Sequence, residues 1–372
     1  MLSIAFIVNP VAGIGGPAGL SGSDGLVVQR RAAELGSQPR AVERAREFLE
    51  ALDSDVRIAV TGSGPMGADV LRACGISASR VETTDADTSG ADTAAVARAG
   101  VHAAVDLIVF VGGDGTARDV LLGLGGASVP VLGIPAGVKM HSSVFALSPR
   151  TAAVLVSEWT PRQGTVTAEV ADIDEDARRE GVVVARLHGQ AEVPAAPTRL
   201  QGGKVGASVP SKGSADGLAA ALRSLLDPDA AWVFGPGSTM AAVATGLDLE
   251  SSLLGVDLML PSGQTHLELG SQELEQRTQG MRVQVVLSPI GGQGFLLGRG
   301  NQQISAELLS RVEREDLIVV ATSGKLAQLG GAPLLLDTGN NEQDARFAGY
   351  ARILTGPRDA AMLPVRAASS VS

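Results

Sequence analysis

Gly112-Gly113-Asp114-Gly115-Thr116 sets one aspartate among three glycines and a threonine, directly after the apolar run 105–111 and ahead of a helical pattern at 117–122. Glycines let backbone N–H groups approach an anion closely, and a helix N-terminus adds a favourable dipole. A carboxylate inside such a cradle repels phosphate unless it holds Mg²⁺ or handles the proton of an attacking hydroxyl. The chemistry expected is phosphoryl transfer. Asp114 is the candidate catalytic group, with Gly112, Gly113, Gly115 and Thr116 around the phosphates.

Other glycine-rich turns follow apolar runs in the same way. Residues 135–143 carry Gly137, Lys139 and His141. Lys139 is placed to offset charge that develops during transfer, or is a surface lysine. His141 reads as a hydrogen-bonded structural residue, because phosphoryl transfer relies mainly on positioning and charge. The first turn, 9–16, offers Asn9, Gly13 and Gly15 as phosphate-side candidates.

Further along, Gly237, Ser238 and Thr239 open a helical pattern, where Ser238 serves equally well as an N-cap. The long loop 288–303 contains Gln293, Arg299 and Asn301, and amide-rich loops suit reading a base, a ribose or a nicotinamide amide. Lys325, in Thr322-Ser323-Gly324-Lys325, either touches phosphate or pairs on the surface, and Asp337 places a carboxylate at a strand end. No Cys/His zinc spacing, Walker P-loop or Gly-x-Ser-x-Gly elbow is present.

The elements that must position these residues alternate in type. Strands are expected at 2–8, 56–60, 105–111 and 129–134, with helices at 39–52, 66–73, 92–99 and 151–159. That pattern implies a parallel sheet covered on both faces, with ligands at the carboxyl ends of its strands. Paired strands at 165–171 and 182–187 then flank an acidic turn. Residues 192–214 read as a loop, a linker or a mobile lid.

The β/α alternation resumes from residue 215. Helices are expected at 218–226, 238–245 and 264–277, and strands at 230–234, 252–260, 281–287, 317–322 and 333–336. Residues 361–372 read as a partly frayed tail. The expected fold class is α/β, with an N-terminal parallel-sheet domain over 1–159 and a second, mixed α/β domain over 160–372.

Aromatic residues make up only 3% of the chain, so Ala, Val, Leu and Ile must build the cores. A net charge of −10 argues against general nucleic-acid or anionic-membrane binding. Only four of the 30 basic residues are lysines: Lys139, Lys204, Lys212 and Lys325. The single cysteine, Cys74, excludes an intramolecular disulfide and suits a reducing cytosol. No apolar run approaches the ~20 residues of a membrane helix. The expectation is a cytoplasmic protein acting on small-molecule nucleotides, with a homo-oligomer left open.

Residues 112–116 resemble the Gly-Gly-Asp-Gly-Thr signature of NAD kinases, diacylglycerol kinases and, more loosely, phosphofructokinases. Longer stretches, including Gly113 to Asp119, Gly133 to Ser142, Leu253 to Asp257 and Gly291 to Gln303, are similar to the ATP-NAD kinase-like branch that includes acetoin-catabolism X proteins. The resemblance implies an N-terminal domain of NAD kinase/diacylglycerol kinase type and phosphorylation of the adenosine-ribose 2′-hydroxyl of NAD. ATP or polyphosphate would be the donor, Mg²⁺ the cofactor, and Asp114 the group activating the hydroxyl. Standard NAD kinases also carry an Asn-Glu/Asp pair that grips the ribose, and after Asp114 this chain offers none before Asn341-Glu342. Asn340 stands where the branch suggests an aspartate. Two alternatives stay open: a kinase of another small alcohol (acetoin-pathway or lipid), and a non-catalytic nucleotide or metabolite sensor.

Overall fold

The computed structural model describes all residues except 21–25, 85–87, 138–139, 174–184, 197–198, 202–210 and 372. Its first sheet takes five strands: β1 (Leu2–Val8), β2 (Val56–Gly62), β3 (Arg80–Glu82), β4 (Leu107–Gly112) and β5 (Val131–Pro135). They pair in the order β3-β2-β1-β4-β5, parallel throughout. A strand buried on both faces needs apolar residues at every position, and β4 is buried along its whole length.

Alternate residues of β1 serve opposite faces. Ile4, Phe6 and Val8 pack with helices Ala41–Ala51 and Pro149–Glu158, and Phe6 stacks on Phe48 at 5.7 Å between ring centroids. Ala5 and Ile7 pack with helices Gly90–His102 and Asp114–Leu124. Strand order reverses between β1 and β4, and the crevice outside the carboxyl ends at such a reversal is where open α/β sheets bind ligands. The loops beginning at Asn9 and Gly113 leave the sheet on either side of that crevice.

A hairpin of β6 (Thr165–Ile173) and β7 (Ala185–Pro194) follows. The larger sheet contains β8 (Ala231–Phe234), β9 (Asp257–Met259), β10 (Thr265–His266), β11 (Val283–Leu287), β12 (Phe295–Leu297), β13 (Leu317–Val320), β14 (Leu334–Leu336), β15 (Gly349–Leu354) and β16 (Ala360–Ala367). Among the described residues its order is β10-β9-β8-β11-β13-β15-β16-β14-β12. β8, β11, β13 and β15 run parallel, and β15 pairs antiparallel with β16. The architecture is α/β, a parallel-sheet unit followed by a mixed, larger sheet.

Four expectations change. The tail expected over 361–372 is not frayed over residues 361–367, because β16 pairs with both β14 and β15 inside the sheet. The helix expected over 264–277 is reduced to Ser271–Arg277, with Gly270 before it and β10 upstream. The strand expected over 252–260 shrinks to Asp257–Met259, since the Ser252 N–H and hydroxyl both donate to the Asp257 carboxylate, at 2.6 and 2.7 Å, and curl the chain. Part of the expected loop 192–214 is ordered structure: β7 runs to Pro194, Gln201 is buried, and a helix spans Lys212–Arg223. The acidic turn from residue 174 on, and residues 202–210, lie outside the described residues.

Candidate active site

Gly113 is the N-cap of helix Asp114–Leu124, so Asp114 occupies the first helical position, where the helix dipole favours an anion. The Asp114 side chain is 4% exposed and anchors the neighbouring turn. The His141 N–H donates to Oδ2 at 2.6 Å and the Ser142 N–H to Oδ1 at 3.0 Å. His141 Nδ1 lies 3.3 Å from the same Oδ2. The buried Ser142 hydroxyl continues the chain of contacts, donating to the Ala171 carbonyl of β6.

The turn after β1 is fixed to this cradle. Asn9 Nδ2 donates to Thr116 Oγ1 at 2.9 Å, and the Val11 N–H donates back to Asn9 Oδ1. Gly13 has φ +83°, and a Cβ there would strike the Ala136 carbonyl oxygen, so only glycine lets the two turns touch. Gly15 is buried in the same turn, and its carbonyl accepts from the Leu20 N–H. Gly113 and Gly137 meet backbone to backbone; a Cβ on Gly137 would sit 2.9 Å from Gly113 Cα. Gly112 and Gly115 lie at the end of β4 and in the first helical turn. Lys139 lies outside the described residues.

The second half of the chain braces this arrangement from across the crevice. Gln302 Nε2 donates to the Gly137 carbonyl at 3.1 Å, and Gln293 Nε2 to the Met140 carbonyl at 2.9 Å. Gln201 Nε2 reaches the Met140 and Ser142 carbonyls, both at 3.3 Å. Arg299 holds Gln201 in turn, with NH1 on its Oε1 (2.6 Å), NH2 on the Leu147 carbonyl (2.7 Å) and Nε on Asp337 Oδ2 (2.9 Å). Its guanidinium also covers the Phe295 ring at 4.3 Å.

Arg299 therefore braces the cleft in this structure, because its fork is occupied by protein partners. Asn301 has a similar role: Oδ1 accepts from the Gly298 N–H, and Nδ2 donates to the Leu296 carbonyl. Both residues shape the loop expected to bind nucleotide, whereas Gln293 reaches the opposite turn directly.

Asp337, at the end of β14, is the hub of the buried charges. Arg44 NH1 lies 2.8 Å from its Oδ1, opposite Arg299 on Oδ2. Burial alone would raise the Asp337 carboxyl, but Arg44, Arg299 and Arg40 outweigh it and hold the group below the usual carboxylate range. Arg40 donates to the Thr338 carbonyl and is pulled down to about 10, by burial first and then by the Arg44 charge.

The remaining expected residues lie at neighbouring strand ends of the larger sheet. Gly237 caps helix Ser238–Gly246 with φ 118°, and Thr239 is buried beside it. Lys325 Nζ donates to Thr239 Oγ1 and to Ser288 Oγ. Loop 288–294 thus touches Lys325 through Ser288 and the Met140 turn through Gln293.

Among the described residues no group of three His, Cys, Asp or Glu side chains is placed to hold a metal. This donor set does not form a resident metal cage. None of their helices is long and apolar enough to cross a membrane.

Gln201 and Gln302 escaped the sequence reading. The signal available for Gln302 was its place in an amide-rich loop, whereas Gln201 sits in a stretch that reads as linker. Asn341 and Glu342 are exposed at the start of helix Asn341–Phe347.

The family model for the ATP-NAD kinase N-terminal domain matches residues 4–159, and that for the ATP-NAD kinase C-terminal domain matches residues 229–365. No curated protein matches the chain. A solved structure from Bacillus anthracis str. Sterne, assigned as a diacylglycerol kinase, is similar at 18% identity with a TM-score of 0.24. That match covers 46% of this chain and 45% of the solved one, so this chain spans less than half the length of that protein.

Proposed function

The chain belongs to the ATP-NAD kinase family, phosphotransferases of NAD-kinase type, and we propose that its reaction is transfer of the terminal phosphoryl group of ATP to the adenosine-ribose 2′-hydroxyl of NAD, giving NADP. The observation that carries the reading is the setting of Asp114, at a helix N-terminus, on the strand-order reversal, between two glycine turns in contact. Among the described residues Oδ1 takes one hydrogen bond, from the Ser142 N–H, and a carboxylate oxygen has room for a second donor. That donor is the acceptor hydroxyl.

The hydroxyl oxygen then attacks the γ-phosphorus, its proton passes to Asp114, and the bond to the bridging oxygen breaks to release ADP. The Asn9–Gly13–Gly15 turn and Gly112, Gly113, Gly115 and Thr116 supply the donor-side N–H groups and hydroxyl. Mg²⁺ would be supplied with the donor phosphates as their counter-ion and would neutralise their charge, which suits an ion that keeps few protein ligands. Lys139, placed by sequence between Gly137 and Met140, offsets charge on the transferred group. Gln293 and the loop it anchors face the acceptor, and polyphosphate is the alternative donor.

A second acceptor class is favoured by one observation. Asn341-Glu342 is exposed at a helix start, so no Asn-Glu pair after Asp114 is set to grip a ribose. The discriminating assay incubates purified protein with NAD, NADH or no acceptor, each with ATP or polyphosphate, and follows NADP(H). Donor-dependent NADP(H) supports the proposal. Nucleotide binding without NADP(H), under every donor, contradicts it.

A further inference from the structure

The segments that follow three adjacent parallel strands, β8, β11 and β13, converge on one ammonium group. Lys325 Nζ donates to Thr239 Oγ1 at 3.1 Å and to Ser288 Oγ at 3.0 Å, so two helix starts and one loop each contribute one side chain. An ammonium has donors only. Both hydroxyls therefore accept from it, and each keeps its own O–H to donate elsewhere.

Thr239 is 1% exposed, and among the described residues its hydroxyl makes no hydrogen bond except the one it accepts from Lys325. A buried hydroxyl hydrogen without an acceptor is costly unless a ligand supplies one. Beside it, helix Ser238–Gly246 starts with no side-chain cap, so its first N–H groups lack partners within the helix. The backbone at Gly291 also lies beside Lys325, at ordinary contact distance from its Cε.

Ammonium, two hydroxyls and helix-end amides are all donors, and they meet at the carboxyl ends of parallel strands, where such sheets bind ligands. We propose that Lys325, Thr239 and Ser288 form a binding site for a phosphate or diphosphate group of a nucleotide substrate. The same loop that carries Ser288 reaches the Met140 turn through Gln293, which joins this site to the crevice containing Asp114. Assigning the anion to a substrate of the kinase rests on the function proposed above; the anion site itself does not.

The test is calorimetric titration of the full chain with inorganic pyrophosphate, which needs no turnover and so stands apart from any failure of the kinase reading. Wild type is expected to bind saturably, and Lys325→Met to weaken binding by about tenfold or more, the worth of one charge-assisted contact. Thr239→Val removes the buried hydroxyl at nearly constant volume and is expected to weaken binding in the same direction. It decides the matter should Lys325→Met fail to fold. Displacement of pyrophosphate by NAD assigns the site to the acceptor, and displacement by ATP alone assigns it to the donor. The proposal is overturned if wild type shows no saturable binding at millimolar pyrophosphate, if folded variants bind like wild type, or if neither nucleotide competes.

Discussion

Replacing Asp337 with alanine removes the carboxylate that Arg44 and Arg299 share across the two halves of the chain. Both guanidinium groups and the carboxylate are about 4–5% exposed, so solvent does not screen the loss. Arg44 keeps Glu47 at 3.5 Å. Among the described residues Arg299 keeps neutral hydrogen-bond partners, Gln201 and the Leu147 carbonyl. Breaking a buried pair by removing one partner costs about 3–5 kcal/mol, chiefly because the other charge stays buried, and Arg299 meets that condition.

The two tryptophans make the loss measurable in each half separately. Trp159 packs in the core of the first sheet, and Trp232 lies on β8 of the larger one. In urea, single-tryptophan versions should both show the Asp337→Ala midpoint lowered, by an amount equivalent to ~3–5 kcal/mol. Adding Arg44→Met and Arg299→Met should recover most of it, since apolar groups of similar volume replace buried ion pairs without net loss. A change below about 1 kcal/mol, or a loss seen by one tryptophan alone, would refute the hub.

Three further outcomes follow from the same structure. Asp337 has a folded pKa below its ordinary 3.8, so its stabilisation is complete above that value and is lost as pH falls through the folded pKa; acid unfolding of Asp337→Ala should lack this component below pH 3.8. Gly137→Ala forces the Gly113 backbone away from a 2.9 Å approach and should cost about 1–3 kcal/mol and most of the phosphotransfer rate, whereas Gly213→Ala, helical and in open space, should gain up to ~1 kcal/mol in thermal melts. Asn9→Ala loses the hydrogen bond to Thr116 and should raise the KM for ATP, with ~1 kcal/mol of destabilisation.

Most of the first sheet could be read from the sequence, because strands buried on both faces must be continuously apolar and each ends in a glycine turn. The touching of Gly113 and Gly137 was implicit in those turns, although the backbone contact itself is not a local signal. The larger sheet was harder to read. Pro364 makes residues 360–367 look unlike an interior strand, since proline cannot donate to a ladder. The register resolves this: Pro364 faces Tyr350 on β15, and pairing to β14 begins one residue later, at Val365.

Arg299 and Asn301 were visible as unusual residues, but polar types in a loop do not reveal whether their partners are ligand or protein. Arg299 finds partners at Leu147, Gln201 and Asp337, distant in sequence, so only the tertiary structure could disclose its bracing role. Lys325 was conspicuous as one of four lysines, yet its meeting with Thr239 and Ser288 depends on the order of β8, β11 and β13.

The central claim is that Asp114 takes the proton of an NAD hydroxyl. Its most direct test is single-turnover formation of NADP from NAD and MgATP by wild type and Asp114→Asn, with folding of the variant checked by thermal melting. Wild type should form NADP, and the variant should be slower by about 10²-fold or more, the range of general-base contributions. Equal rates in the two proteins, or a wild type that forms no NADP while binding both nucleotides, would contradict it.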